Sequence, residues 1–114
     1  MDDCIFCKIV KGEIPSKMAY QDDDVLAFHD INPVAPVHVV IIPRQHIANA
    51  AALDKPQTML AGKLILAAAQ IARDLNIETS GYRIVTSNGK EGGQTVGHLH
   101  FHLLGGRQMT WPPG

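Results

Sequence analysis

The spacing of apolar residues changes several times along the chain, and each change marks an element. Between Pro56 and Leu75 the residues Leu60, Leu64, Ala68, Ile71 and Leu75 recur at three- and four-residue steps, which lines one face of a helix. Asp54 stands as the N-cap, with Gln57 at the capping-box position and Pro56 in the first turn, so a single long helix is predicted over 56–75. The run Val37–Pro43 (VHVVIIP) is β-branched and predicts a buried strand. Residues 17–21 and 25–30 predict two strands around the acidic turn Asp22-Asp23-Asp24, and Asn32-Pro33 and Pro36 mark a further turn. Residues 82–87 and 97–104 predict the last two strands, and residues 4–11 a short helix ended by Gly12 and Pro15. The sum is about five strands, one long helix and one or two short ones. Hairpin-length spacing at both ends favours an α+β domain with an antiparallel sheet.

Composition narrows the class. The chain has 114 residues, the size of one domain, with no repeat, linker or low-complexity stretch, so 1–114 reads as a single unit. It is 46% hydrophobic and 18% charged, enough to bury a core. A net charge of -1 gives no footprint for nucleic acid. No apolar run reaches the roughly 18 residues of a membrane span. The acidic start, where a secretion signal would be basic, leads to the expectation of a cytoplasmic protein. Two cysteines cannot make a disulfide framework.

The candidate chemistry gathers near the C-terminal end. Val96–Leu104 reads VGHLHFHLL, with His98, His100 and His102 at alternate positions. On a strand those imidazoles share one face, roughly 7 Å apart, while Leu99, Phe101 and Leu103 face the core. Such a row can contact one substrate or supply two ligands to one metal. The preceding loop, Asn88-Gly89-Lys90-Glu91-Gly92-Gly93-Gln94-Thr95, holds three glycines and two side-chain donors. Glycines allow backbone N–H groups to approach an anion. A phosphate cradle beside imidazoles points to phosphoryl or nucleotidyl transfer, with one histidine as nucleophile and its neighbours moving protons. A plain hairpin loop followed by surface histidines, or a histidine-ligated metal site on this strand, are the competing readings. Separately, Cys4-Ile5-Phe6-Cys7 is a C-x-x-C pair, half of a tetrahedral zinc site.

His98-Leu99-His100-Phe101-His102-Leu103-Leu104 resembles the motif of the histidine triad superfamily, His-φ-His-φ-His-φ-φ with φ apolar. Gly92–Thr95, Leu104–Arg107, the ending Gln108–Gly114, Ile5-Phe6, Glu13–Pro15, Ala27–Ile31 and Val40–Pro43 are similar to its Hint-type branch, the histidine triad nucleotide-binding proteins. The resemblance spans essentially the whole chain. It implies that His100 is the nucleophile, that His102 binds the α-phosphate and relays protons, and that His38 supports the relay. It places phosphate contacts at Ser87, Gly93, Gln94 and Thr95, the ribose hydroxyls on Asp30, and a purine pocket at Ile5, Phe6, Ile9, Phe28, His29 and Ile31. It implies a structural zinc on Cys4, Cys7, His46 and His98 that catalysis does not require. It also implies a homodimer in which Trp111 and the tail reach the partner chain. The expected activity is hydrolysis of purine nucleoside 5′-phosphoramidates, AMP- or GMP-like, or of acyl-nucleotides, through a nucleotidyl-histidine. The rivals are a dinucleoside polyphosphate hydrolase, a slow nucleotide sensor and a histidine-ligated metalloenzyme. Two positions depart from the branch: Ser87 stands where asparagine is usual, with Asn88 next to it, and Gly97 stands where an aromatic residue is common.

Overall fold

The computed structural model describes residues 3–114, so Met1 and Asp2 of the acidic start lie outside the described residues. The elements are α1 (Ile5–Val10), β1 (Met18–Gln21), β2 (Val25–His29), β3 (Val37–Pro43), α2 (Thr58–Asp74), β4 (Tyr82–Val85), α3 (Gly89–Gly92) and β5 (Phe101–Gly105), with short 3-10 turns at Ala50–Ala52 and Lys55–Gln57. The five strands form one sheet in the order β1-β2-β3-β5-β4. Every neighbouring pair is antiparallel. The α+β architecture expected from the sequence is therefore the architecture found.

The central strands carry continuous apolar runs because both faces of the sheet are covered. On one face Val25, Ala27, Val39, Ile41, Leu99 and Leu103 pack under Leu64, Ala67, Ala68, Ile71 and Ala72 of α2. On the other, Leu26, Phe28, Val40 and Ile42 meet Phe6 and Ile9 of α1. His38, on the same pleat face as Val40 and Ile42, thus lies on the α1 side. Its antiparallel neighbours on β5 put His102 there too, opposite Val40.

Three boundaries differ from the sequence pattern, each for a local reason. The helix begins at Thr58, since Lys55–Gln57 tighten into a 3-10 turn that keeps the Asp54/Gln57 capping box. The fourth strand ends at Val85 because the Thr86 hydroxyl, rather than the next backbone N–H, donates to the His100 carbonyl at 2.8 Å. The last strand begins at Phe101, not Gly97. Its partner β3 ends at Pro43, which has no N–H to extend the ladder, and Leu99 N–H instead donates to the Ile47 carbonyl at 2.6 Å. The 3-10 turn Ala50–Ala52 and α3 inside the glycine loop have no counterpart in the sequence pattern.

Candidate functional site

The alternation expected of the three histidines survives although only His102 lies in the ladder. Leu99 and Leu103 enter the α2-side core, while the rings of His98 and His100 lie edge-on to Phe6 of α1 at 5.8 and 5.1 Å. The His100 and His102 rings are also 5.1 Å apart.

Each ring has one nitrogen committed to a fixed partner, and that commitment settles what the other nitrogen can do. His100 Nδ1 lies 2.8 Å from the His98 carbonyl. A carbonyl only accepts, so Nδ1 carries the proton and Nε2 keeps the lone pair. The Val34 backbone N–H donates to His38 Nδ1 at 3.2 Å. Neutral His38 therefore carries its proton on Nε2 and donates it to His102 Nδ1, 2.9 Å away. That leaves His102 with its proton on Nε2. The result is a lone pair on His100 beside an N–H donor on His102. Burial holds His102 below the ordinary histidine range, with His100 and His38 adding to the effect and Asp30 opposing it. Burial does the same to His38, again against Asp30. Both rings are neutral near pH 7 in the ligand-free protein.

Asp30, His38 and His102 also approach one another closely enough to suggest metal ligands. The hydrogen bonds speak against that use. His38 Nδ1 already accepts from Val34, so its Nε2 carries a proton and has no lone pair for a cation. The Asp30 carboxylate lies 3.5 Å from His38 Nε2 through one oxygen and accepts from Asn32 N–H at 2.7 Å through the other.

A second cluster fits zinc well. Cys4 caps α1 and accepts from Cys7 N–H at 3.3 Å, which folds both thiols to one side of the first turn. His98 is fully buried, and its Nε2 donates to the Pro43 carbonyl at 3.0 Å. Its Nδ1 lone pair therefore faces Cys4 Sγ at 3.4 Å, Cys7 Sγ at 3.6 Å and His46 Nδ1 at 3.2 Å, with Cys7 Sγ 3.3 Å from the His46 nitrogen. A tetrahedron built on zinc–ligand lengths of about 2.3 Å to sulfur and 2.0–2.1 Å to nitrogen has edges of roughly 3.6 Å for S···N and 3.3 Å for N···N. The four expected ligands match that frame. Burial and the Cys4 side chain push the Cys7 thiol up, and burial pushes His98 down. A cation at the centre reverses the penalty on the thiolate.

The glycine loop differs from its expected form. Gly93, at a left-handed φ of 80°, caps α3, and its N–H donates to the Lys90 carbonyl. Gln94 N–H donates to Gly89, its Nε2 donates to Ala48 and Val96, and its Oε1 accepts from Gly89 N–H. The donors of Gly93 and Gln94 are thus spent on closing the loop, and these two residues brace it rather than turning N–H groups inward. Asn88 accepts from Ala51 N–H at 2.8 Å through its Oδ1. Half-buried Ser87 packs beside Gly92, and Thr95 is exposed. Phe6, Ile9 and Phe28 are buried, with Phe6 and Phe28 edge-on at 5.6 Å, and His29 is half-buried. Ile5 and Ile31 are exposed, Ile31 at 91%. An open cleft of about 410 Å³ runs beside this loop, lined by Cys4, Ile5, His46, Thr95, Val96 and Gly97.

Sequence reasoning missed the groups that set the tautomers: the Pro43 and His98 carbonyls and the Val34 N–H. All three are backbone groups, which leave no trace in residue type.

Comparison with known proteins gives the family and the fold. The sequence model of the HIT domain family matches residues 11–109. An uncharacterised HIT-like protein of Synechocystis is 49% identical over 99% of this chain and 98% of its own. A 14 kDa zinc-binding protein of Zea mays is 47% identical, covering 96% of this chain and 87% of its own. The crystal structure of a HIT family hydrolase from Legionella pneumophila superposes with a TM-score of 0.96 at 46% identity, covering 98% of this chain and all of that one.

Proposed function

The chain belongs to the HIT domain family, and on that premise we propose that it is a hydrolase of purine nucleoside 5′-phosphoramidates, working through a nucleotidyl-histidine on His100. The observation that carries the reading is the His100 tautomer: Nδ1–H is tied to the His98 carbonyl, and the Nε2 lone pair is free. In the first step Nε2 attacks the α-phosphorus and the P–N bond breaks. The His38–His102 pair takes up one proton as the anionic substrate binds, and the departing amine takes a proton from His102 Nε2–H, which passes from imidazolium to neutral imidazole. In the second step His102 Nε2, now deprotonated, takes a proton from water. The hydroxide formed releases the nucleotide from His100 and restores both rings. Half-buried Asp30 stands at the end of β2 to accept from the ribose hydroxyls, with Ser87 and Thr95 as the phosphate donors that the closed loop leaves free. Phe6 and Phe28 give the apolar wall for the base.

Zinc on Cys4, Cys7, His46 and His98 would be closed, with four protein ligands and no open position for substrate. It would therefore hold α1 to the sheet while the reaction proceeds on His100. The zinc-binding relative from maize supports this assignment. Exposed Trp111, at 82%, suits the partner contact of a homodimer.

The test is hydrolysis of adenosine 5′-phosphoramidate by the wild type and by His100→Ala. The expected result is AMP binding by both and a loss of several orders of magnitude in kcat for the variant, about what removing a covalent nucleophile costs. Equal turnover by the two proteins would refute the assignment. Tight AMP binding without hydrolysis by the wild type would favour a nucleotide sensor.

A further inference from the structure

We infer that the Cys4, Cys7, His46 and His98 centre positions the nucleophile, acting through the backbone carbonyl of His98; the inference rests on the reading of His100 as that nucleophile. One residue serves both places. The His98 ring faces the two thiols and His46, while the carbonyl of the same residue accepts the His100 Nδ1–H at 2.8 Å. The direction of that carbonyl is what leaves the lone pair on His100 Nε2.

The sheet does not hold this carbonyl. β5 begins at Phe101, so the peptide between His98 and Leu99 lies beyond the ladder. What fixes it is the segment after β3. His98 Nε2 donates to the Pro43 carbonyl at 3.0 Å, and Leu99 N–H donates to the Ile47 carbonyl at 2.6 Å. His46 lies between those two anchors and supplies a ligand atom 3.2 Å from His98 Nδ1. Cys4 and Cys7 tie the same point to α1, whose Phe6 ring rests against His100 at 5.1 Å. A filled centre therefore clamps α1, the 43–47 segment and the His98 peptide to one point.

With the centre empty, only hydrogen bonds join His98 Nδ1 to His46 and the two thiols, and one acceptor lone pair cannot hold all three in place. The His98 carbonyl then turns from His100 Nδ1. The other tautomer of His100, protonated on Nε2, becomes accessible, and it has no lone pair to attack phosphorus. Cys4, Cys7 and His46 are thus positioning residues: none reaches the reacting atoms, and all act through His98.

The experiment is long-range nitrogen–proton NMR of the imidazoles in the full chain, which reads tautomers directly. The zinc-loaded wild type is compared with chelator-treated wild type and with Cys4→Ser, at a temperature where circular dichroism shows the native fold. The expected result is a single Nδ1–H tautomer of His100 in the loaded protein and a mixture in both metal-poor forms. Adding zinc back should restore the single form, and kcat should fall on the order of tenfold in Cys4→Ser with KM unchanged, as for loss of one hydrogen bond. An unchanged His100 tautomer in folded, metal-poor protein would overturn the inference, leaving the centre a purely structural clamp. The nucleophile reading fails differently: His100→Ala would then turn over normally, whatever the NMR of the wild type shows.

Discussion

Replacing His38 with phenylalanine isolates the proton relay from the nucleophile. His38 is 7% exposed, so an aromatic ring of similar size can occupy its place on β3 without adding a buried polar group. The change removes one hydrogen bond that matters, the 2.9 Å donation from His38 Nε2 to His102 Nδ1. His102 Nδ1, itself half-buried, is left to carry its own proton or go unpaired. Leaving such a group unsatisfied costs about 1–3 kcal/mol. Taken against the Nε2–H form that protonates the leaving group, and at about 1.4 kcal/mol per decade of rate, this gives a fall in rate of roughly 5- to 140-fold. In the first step, followed as single-turnover release of the leaving group, the effect belongs to leaving-group protonation alone. The assay is therefore run on two AMP derivatives, an alkyl phosphoramidate whose amine must be protonated and an ester of a strongly acidic phenol whose phenolate needs no proton. The first should slow by the stated factor and the second hardly at all. Equal slowing of both substrates would refute the relay, because it would put His38 in binding or in attack. No slowing of the phosphoramidate would refute it as well.

Other outcomes follow from the same geometry. His38 and His102 are held below the ordinary value of 6.5 by burial, so an unfolded chain binds their protons more readily than the folded one. Stability is therefore complete above about pH 6.5 and declines as the pH falls below it, and denaturant midpoints measured from pH 7.5 to 5 should decrease; a flat profile would contradict the direction of both shifts. Leu64→Ala, at a fully buried position under α2, should cost about 2–5 kcal/mol by urea unfolding. Gln94→Ala should free the loop from Ala48 and Val96, raising KM for nucleotide more than it changes the melting temperature.

Much of this was legible in the chain, and for identifiable reasons. The period of Leu60, Leu64, Ala68 and Ile71 predicts α2 because that helix covers a single sheet face, and the run Val37–Pro43 predicts β3 because that strand is covered on both. The triad spacing predicts a shared face because extended backbone alternates even after the ladder has ended. The ligand set Cys4, Cys7, His46 and His98 came from the resemblance, and the geometry then brought the four atoms together. The composition of the glycine loop has two solutions. Glycine allows inward-turned N–H groups, but it equally allows the left-handed cap at Gly93 that closes α3 on its own donors. Local sequence cannot choose between them, since the decision rests with Ala48 and Val96, the partners of the Gln94 amide.

The two-residue step of the motif does more than place three rings in a row. At that step the carbonyl of one histidine comes within reach of the Nδ1 of the next, as His98 and His100 show at 2.8 Å. The His100 carbonyl accepts instead from the Thr86 hydroxyl at 2.8 Å. His102 takes its tautomer from across the sheet, from His38, and ends with a proton where His100 has a lone pair. Identical spacing thus yields opposite chemistry at adjacent rings, and the difference traces to one cross-strand histidine. Inserting a single residue between His98 and His100 would undo this at once, since the alternation would turn one ring into the α2-side core and point an apolar side chain at the substrate.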